Sequence, residues 1–380
     1  MKIPLFKIYW DNEDIEAVSK VIKKGAYWTT GPIVNEFESK ISEYIGSKYC
    51  VTFNSGTSAL HSILLAYGVT VGDEVIVPSF TFIATANAPL FTGAKPIFAD
   101  IEEKTLGLDP LDVKEKITKK TKAIIPVHYG GSPCRINELK EIAEDHNLIL
   151  IEDAAESFGA MIDDRKIGTF GDSTMFSFCQ NKIITTGDGG CITTNSKDVY
   201  EKLKLIRSHG RQETSNYFSS TEFMDYVTLG YNFRISDITA ALGVSQINKI
   251  DKIIELRRKN ANYLNDRLSS IDEIDLLNPP EEYFHVYQMY TIRVAGGART
   301  RDELMRYLSE KGIGTKVYFY PVHLTHFYKT KFGYNRGEVP RTEEISDCVL
   351  SLPMFPTMVK EEMDYIAETL NNFFEKHPYE

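Results

Sequence analysis

Residues 176–190 contain the sequence Phe176-Ser177-Phe178-Cys179-Gln180-Asn181-Lys182-Ile183-Ile184-Thr185-Thr186-Gly187-Asp188-Gly189-Gly190. An apolar, strand-like run comes before Lys182, and a cluster of glycines follows it. Glycine permits tight bends and lets the backbone approach a ligand closely. A single lysine is most often a solvated surface charge, but these neighbours favour a lysine held inside a pocket.

Two segments upstream of that lysine place polar side chains where a predicted strand ends. Asp153 closes the apolar run Leu148-Ile149-Leu150-Ile151-Glu152-Asp153, and Asn54-Ser55-Gly56-Thr57-Ser58 joins a strand to a helix. The start of a helix presents free N–H groups and the positive end of the helix dipole, so Gly56 and Thr57 could bind a phosphate. Read alone, each segment could equally be an ordinary helix cap.

Taken together, an amine, a carboxylate and a phosphate-binding turn are the parts needed to hold pyridoxal phosphate. Lys182 would join the cofactor aldehyde as a Schiff base, and Asp153 would keep the pyridine nitrogen protonated. Ser177 could bond the same phosphate. Phe82, just past another predicted strand end, could stack on the ring, although core packing is the commoner explanation for one aromatic.

Length and composition are those of an ordinary soluble enzyme. The chain has 380 residues, of which 25% are charged and 42% hydrophobic, enough for two domains. The net charge of −10 disfavours nucleic acid as a partner, because phosphate backbones attract basic surfaces. No run of about 18 apolar residues occurs, so we expect no membrane helix.

The N-terminal residues and the cysteines favour the cytoplasm. The segment Met1-Lys2-Ile3-Pro4-Leu5-Phe6 lacks the apolar core and cleavage site of a secretory signal. The five cysteines are scattered and lack CxxC spacing, so we expect neither a disulfide framework nor a zinc site. We expect no other metal site.

Strand and helix patterns alternate over roughly the first half of the chain. This alternation predicts an α/β fold, in which helices flank a mostly parallel, seven-stranded sheet. The predicted strands are residues 48–53, 74–78, 95–99, 122–128, 148–152, 173–177 and 190–194, and predicted helices include 11–25, 33–45, 56–67 and 136–146.

The pattern changes in the second half of the chain. Residues 237–268 read as one long helix or a kinked pair. A strand at 286–294, a helix at 301–311 and a final helix at 360–375 follow. We therefore predict a large cofactor-binding domain over residues 1–250 and a smaller α+β domain over residues 251–380.

In their order along the chain, these segments resemble the DegT/StrS family of sugar aminotransferases, which are fold-type I pyridoxal-phosphate enzymes. The similarity runs over nearly the whole chain. Besides the segments above, it includes Trp28-Thr29-Thr30-Gly31-Pro32, Gly230-Tyr231-Asn232-Phe233-Arg234 and Pro321-Val322-His323. So many ordered motifs make the resemblance highly specific.

The resemblance implies a role for each matching residue. Lys182 would bind the cofactor and carry the proton, and Asp153 would pair with the pyridine nitrogen. The other implied cofactor contacts are Gly56, Thr57 and Ser177 at the phosphate, Phe82 on the ring, Glu156 near the 3-hydroxyl, and Asn232 at the phosphate of the neighbouring subunit. The active site would then be shared within a homodimer. The implied substrate contacts are Thr30, His209, Arg234 and His323.

The resemblance also implies an activity: transfer of an amino group from glutamate to a nucleotide-linked keto-sugar. A 4-keto-6-deoxyhexose is the favoured acceptor, and a 3-keto-sugar is the alternative. A family branch with histidine in place of the lysine performs dehydration, and Lys182 excludes it. Gln288 replaces a histidine that is frequent in the family.

Two other classes of function remain as alternatives. A regulatory homologue without turnover is disfavoured, because the chain keeps Lys182, Asp153 and the phosphate turn together. A cysteine desulfurase of the same fold type would need a nucleophilic cysteine on a mobile loop, and none of the five cysteines lies in a suitable segment.

Overall fold

A seven-stranded sheet forms the centre of the large half of the chain, as predicted. The computed structural model describes residues 1–212, 221 and 223–376. Its strands are β1 (Tyr49–Phe53), β2 (Glu74–Pro78), β3 (Lys95–Ala99), β4 (Thr121–Ile124), β5 (Ile149–Asp153), β6 (Met161–Ile162), β7 (Arg165–Lys166), β8 (Ser173–Ser177), β9 (Gly190–Thr194), β10 (Ile274–Leu276), β11 (Tyr283–Phe284), β12 (Tyr290–Val294) and β13 (Val349–Leu352).

Helices connect and cover these strands. They are α1 (Asn12–Lys24), α2 (Pro32–Ile45), α3 (Gly56–Ala66), α4 (Ile83–Thr92), α5 (Pro110–Lys116), α6 (Ile136–Asp145), α7 (Lys197–Arg207), α8 (Asp237–Ile247), α9 (Ile250–Leu268), α10 (Gly297–Glu310), α11 (His326–Phe332), α12 (Pro340–Cys348) and α13 (Lys360–Lys376). Local sequence signals determine where several of these helices begin and end. A capping box of Asp11 and Asp14 begins α1, and Gly25, with φ of 68°, ends it.

The large sheet has the strand order β1-β9-β8-β5-β4-β2-β3. Both faces are covered, because alternate residues of one strand enter different cores. On β5, Leu150 packs in the core that contains Phe37 of α2, whereas Ile151 packs in the core that contains Leu60 of α3. Burial on both faces explains why these strands read as nearly continuous apolar runs.

One strand runs against the others, and this reversal matters for function. β9 is antiparallel to both of its neighbours, β8 and β1, whereas β5 and β8 are parallel. Gly190 at the start of β9 therefore pairs with Ser177 at the end of β8 and with Phe53 at the end of β1. The segment between Ser177 and Gly190, which carries Lys182, is thereby held at the carboxyl edge of the sheet.

The second half of the chain builds a smaller sheet of β10, β12 and β13. Its core combines residues of α9, α10 and α13 with Ile3, which is 1% exposed and bridges to Ile313. Residues 237–268 form the kinked pair, α8 and α9. The domain boundary after residue 250 stays a prediction. No helix among the described residues is both long and apolar enough to cross a bilayer.

Several boundaries differ from the sequence prediction. The strand expected at 286–294 begins only at Tyr290, and the strand expected at 122–128 ends at Ile124. The short elements α12 and β13, and the two-residue strands β6, β7 and β11, were not predicted. Elements this short contain too few residues to display a periodicity, so only their tertiary partners define them.

Candidate active site

A cavity of about 680 Å³ opens at the carboxyl edge of the large sheet. Residues from distant parts of the sequence line it. Among them are all the cofactor contacts predicted within one chain, namely Gly56, Thr57, Phe82, Asp153, Glu156, Ser177 and Lys182. Carboxyl ends of parallel strands are where ligands bind in α/β sheets, so the location agrees with the strand-end argument.

The phosphate turn is the junction of β1 and α3. Ser55 caps the helix, and its Oγ accepts a hydrogen bond from the N–H of Ser58 at 3.1 Å. Gly56 and Thr57, the first helical residues, have N–H groups with no intrahelical acceptor. A Cβ on Gly56 would lie 3.2 Å from Cβ of Ser177, and one on Gly190 would lie 2.6 Å from the nitrogen of Gly56. The close approach of β9 to the start of α3 therefore requires glycine at position 190.

Asp153 is a buried carboxyl group at the floor of the cavity. Its side-chain oxygens accept hydrogen bonds from Oγ1 of Thr85 at 2.8 Å and from the N–H of Ala155 at 3.2 Å. Burial raises the pKa of Asp153, although these hydrogen bonds and the nearby Lys182 oppose the shift. A cationic group bound against this carboxylate would remove much of the cost of its burial.

Asp153 is held in place by a network on the other side of its strand. Glu152 points away from the cavity, where it accepts hydrogen bonds from the N–H groups of Phe170 at 3.0 Å and Gly171 at 2.8 Å. It also bonds to Nε2 of His128 at 3.1 Å. Burial alone would raise the pKa of Glu152, but His128 and the backbone donors outweigh it, so the pKa is lowered. This satisfied network fixes the end of β5.

Lys182 projects into the cavity with 14% of its side chain exposed. Its Nζ lies 3.5 Å from Oε1 of Glu156, whose Oε2 accepts a hydrogen bond from the N–H of Gly130 at 2.9 Å. The lysine turn closes through a hydrogen bond from the N–H of Lys182 to the carbonyl of Cys179. Nε2 of Gln288 donates to the carbonyl of Asn181, so the second half of the chain also holds this turn.

These residues fit pyridoxal phosphate. The amine can bind an aldehyde, the buried carboxylate can face a cationic ring nitrogen, and the glycine-lined helix start can bind a phosphate. Phe82 is 61% exposed, whereas nearby Phe80 is fully buried. Core packing therefore does not explain Phe82, and its ring is available to a flat ligand at the cavity.

Five other predicted residues do not line the cavity of their own chain, and four of them lie near the phosphate turn or in loops. Asn232 is exposed beside the phosphate turn, and its carbonyl accepts a hydrogen bond from Nδ2 of Asn54 at 3.5 Å. Nη1 of Arg234 donates to Oγ of Ser208 at 3.2 Å. His209 adopts a left-handed backbone with φ of 62°, and Thr30 is partly buried in the loop before α2.

His323 is fully buried, and both of its ring nitrogens have partners. Nδ1 lies 2.7 Å from Oγ of Ser79, and Nε2 lies 3.1 Å from Oε1 of Glu343. The cavity is lined by its neighbours Val322 and Thr325 instead. This geometry supports a role in joining α12 to the loop after β2, and it does not support direct contact with a substrate.

The structure adds cavity residues that the sequence analysis did not select. Thr85 lies on the first turn of α4, three residues after Phe82, so its position after a strand end was a usable signal. Lys316, Tyr318 and Tyr320 reach the cavity from the second half of the chain. No local motif marks them, because only the packing of that half against the large sheet brings them there.

Comparison with known proteins supports the same chemistry. A model of the DegT/DnrJ/EryC1/StrS aminotransferase family matches residues 9–371. The chain is similar to the GDP-perosamine synthase of Escherichia coli O157:H7, with 36% identity over 372 residues that cover 98% of each protein.

Solved structures agree in fold over almost their whole length. Helicobacter pylori PseC, an aminotransferase involved in the biosynthesis of pseudoaminic acid, has a TM-score of 0.92 at 28% identity, covering 99% of this chain and 100% of that one. Spr1654 of Streptococcus pneumoniae, assigned as a sugar aminotransferase, has a TM-score of 0.93 at 28% identity, covering 99% of both chains. It was solved in a PLP form and also in a PMP form.

Proposed function

Because this chain belongs to the DegT/DnrJ/EryC1/StrS aminotransferase family and is a pyridoxal-phosphate-dependent sugar aminotransferase, we propose that it aminates a nucleotide-linked keto-sugar with glutamate as the donor. A 4-keto-6-deoxyhexose is the favoured acceptor, and a 3-keto-sugar is the alternative. The observation that carries the proposal is the single cavity joining Lys182, Asp153 and the Gly56–Thr57 turn. Similarity to a synthase whose product is named as a GDP-linked sugar supports a nucleotide-linked acceptor.

When bound, pyridoxal phosphate would supply a ring that withdraws electrons, and it would carry an amino group from one substrate to the other. The chain's own residues would hold the cofactor in position and control where protons are held. The N–H groups of Gly56 and Thr57, with the hydroxyls of Thr57 and Ser177, would bind the phosphate. Asp153 would hold a proton on the ring nitrogen, because its burial favours a cationic partner.

Lys182 has the two remaining tasks. Its Nζ would hold the cofactor at rest, and as a free amine it would move a proton between carbon atoms inside the cavity. Glu156, 3.5 Å away, lies close enough to accept a hydrogen bond from that ammonium group after a small shift. Because the lysine side chain is mostly buried, bulk water competes little for the proton.

We also infer that a homodimer completes the site, with Asn232 reaching the phosphate bound by its partner. Asn232 is exposed beside the phosphate turn but outside the cavity of its own chain. The preceding segment carries exposed apolar side chains: Tyr226 is 57% exposed, Val227 52% and Leu229 78%. Clustered exposed apolar groups favour a protein interface.

The cofactor and donor can be tested with purified protein. Protein loaded with pyridoxal phosphate should show a visible absorption band that glutamate removes, and a nucleotide-linked keto-sugar should restore it. After borohydride treatment and dialysis, wild type should keep the cofactor covalently attached through a reduced carbon–nitrogen bond, detected by its near-ultraviolet absorption, whereas Lys182→Ala should lose the cofactor. Lys204→Ala, which removes a lysine that pairs with Glu201 outside the cavity, should behave as wild type. The proposal fails if glutamate leaves the wild-type band unchanged, or if no nucleotide-linked keto-sugar in a broad panel restores it.

A further inference from the structure

We propose that Lys316, with Tyr318 and Tyr320, binds the nucleotide end of the acceptor, where the Lys316 ammonium group contacts the diphosphate and the ring of Tyr320 stacks on the base. This inference rests on the proposed nucleotide-linked acceptor. It concerns a wall of the cavity that comes from the second half of the chain and carries none of the predicted cofactor contacts.

The segment 316–320 is held rigidly while it presents these side chains. Lys316 exchanges two backbone hydrogen bonds with Ser351 of β13, at 3.2 and 2.9 Å. The intervening residues Val317 and Phe319 are 4% and 9% exposed, and they pack in an apolar core with Phe80. Burial thus alternates along the segment, and Lys316, Tyr318 and Tyr320 are its more exposed members. A rigid support reduces the entropy that is lost when a ligand binds.

The charges of the cavity single out Lys316. The charged residues lining it are Asp153, Glu156, Lys182, Asp188 and Lys316. Lys182 is committed to the cofactor and lies 3.5 Å from Glu156. In the described parts of the chain, no salt bridge involves Lys316, and its Nζ lies 5.2 Å from the centroid of the Tyr318 ring. Its positive charge is therefore available to an anionic ligand.

A diphosphate needs such a cation more here than in a basic protein. The chain carries a net charge of −10, so the overall field repels a nucleotide diphosphate. The cofactor phosphate has its own site at the start of α3, on the sheet side of the cavity. A second anion in the same cavity would have Lys316 as its cationic partner within the chain.

Tyr320 supplies the flat surface that a base requires. Its side chain is 59% exposed although it lines the cavity, and the guanidinium of the buried Arg301 lies 5.8 Å from the ring centroid. A ring supported by the protein on one side and open on the other can stack on a base of any identity. This arrangement predicts weak discrimination among bases and strong dependence on the diphosphate.

Binding of nucleotides to the holoenzyme tests the proposal. The probes are UDP, GDP and dTDP, each compared with its nucleoside, by calorimetry or by competition with the acceptor. Lys316→Ala should weaken binding of the preferred diphosphate about tenfold and flatten its dependence on salt, because a charge-assisted contact is lost. Its nucleoside should bind as it does to wild type. Lys316→Arg should keep most of the affinity.

Three further variants distinguish loss of a ligand contact from general damage to the protein. Lys311→Ala removes a lysine that lies over Tyr307, outside the cavity, and should bind every probe as wild type does. Tyr320→Ala should weaken nucleoside and diphosphate equally, whereas Tyr320→Phe should weaken neither. Lys311→Ala should also keep the wild-type rate of reaction with glutamate, because Lys311 lies outside the cavity in which both substrates would bind.

Specific outcomes would overturn the inference. It fails if wild type binds none of the three diphosphates, if Lys316→Ala binds them unchanged, or if that variant loses nucleoside and diphosphate to the same degree. Failure of the proposed function looks different, because no nucleotide-linked keto-sugar would then be aminated by wild type even though glutamate reacts.

Discussion

At the residue scale, the cavity contains a buried carboxyl group whose charged form is disfavoured by its surroundings. Asp153 is 3% exposed, and its two hydrogen bonds, from Thr85 and Ala155, do not cancel the effect of burial on its pKa. Such a group favours a cationic ligand because the ligand returns the stabilisation that burial removes. We therefore expect the buried carboxylate that destabilises the empty site to favour binding of the cofactor.

The substitution Asp153→Asn should abolish catalysis while stabilising the cofactor-free protein. A raised pKa means that the folded state prefers the protonated carboxyl. The stability that this preference contributes is present at low pH and is lost as pH rises through the raised pKa. Wild-type apoprotein should therefore lose stability as pH rises above the ordinary aspartate range, and the variant should lose less.

Thermal melts of the apoproteins across pH, together with amino-transfer rates, check this expectation. We expect activity to fall about 100-fold or more, in line with the loss of a positioned acid or base. Asp145→Asn, at an exposed position on α6, is the matched control and should change neither quantity. An Asp153→Asn apoprotein that melts below wild type at pH 8 would contradict the account.

Thr85→Val should weaken cofactor binding without disrupting the fold. The change keeps the shape of the side chain but removes the 2.8 Å hydrogen bond to Asp153, which orients the carboxylate. A hydrogen bond to a charged group contributes about 1.5–3 kcal/mol, so we expect the affinity for pyridoxal phosphate to fall about tenfold or more. Equilibrium titration of apoprotein measures it. Thr92→Val, which loses only a local bond to the carbonyl of Pro89, should match wild type.

At the scale of elements, strand ends and helix starts assemble the site. The reversed strand β9 brings Gly190 against the start of α3, and the connection before β9 carries Lys182 over the edge of the sheet. A second junction anchors the loop that holds Thr30. Asp237, the first residue of α8, accepts hydrogen bonds from the N–H groups of Val34 at 3.1 Å and Ile33 at 3.4 Å, and so caps α2.

Asp237→Ala should lower stability and also weaken the sugar acceptor. Loss of a helix cap costs about 1 kcal/mol, and here the capped helix directly follows the Thr30 loop. We expect a lower Tm and a several-fold higher KM for the keto-sugar, with the rate of reaction with glutamate unchanged. Ser236→Ala removes the local cap of α8 instead and should lower Tm without the KM effect. Equal KM changes in both variants would show that the loop is not specifically involved.

At the scale of the whole molecule, the two halves of the chain meet around one cavity, and we propose that a partner subunit completes it. The large sheet supplies the predicted cofactor contacts, and the segment 316–320 of the second half supplies another wall of the cavity. The kinked pair α8 and α9 leads from one half to the other. The predicted contribution of Asn232 adds the partner subunit, which would make a separate subunit inactive.

Mixed dimers provide a test of the shared site. Lys182→Ala and Asn232→Ala should each be nearly inactive as homodimers. A heterodimer of the two contains one pocket with both changes and one pocket with neither, provided that Asn232 acts across the interface. Heterodimers isolated with two different affinity tags should therefore recover about half of the wild-type activity per dimer, as symmetry requires. Isolated heterodimers without recovered activity would refute the shared site.

The sequence alone was sufficient for the strands of the large sheet and for the expectation that the predicted cofactor contacts of one chain lie together at one cavity. These residues directly follow apolar strands, as Lys182, Asp153 and Gly56 do, and parallel strands align their carboxyl ends at one edge. A local pattern therefore carries three-dimensional information wherever the repeating geometry of a sheet relates distant segments.

Tertiary structure alone decided the rest. It determined that β9 runs backwards, that Thr85 orients Asp153, that His323 is a buried link, and that Lys316 faces the cavity. None of these follows from periodicity, because each depends on how two separately folded segments dock, and docking is set by the shapes of whole surfaces. Local sequence patterns determined the helices and strands, and tertiary packing determined which of their side chains contact each other.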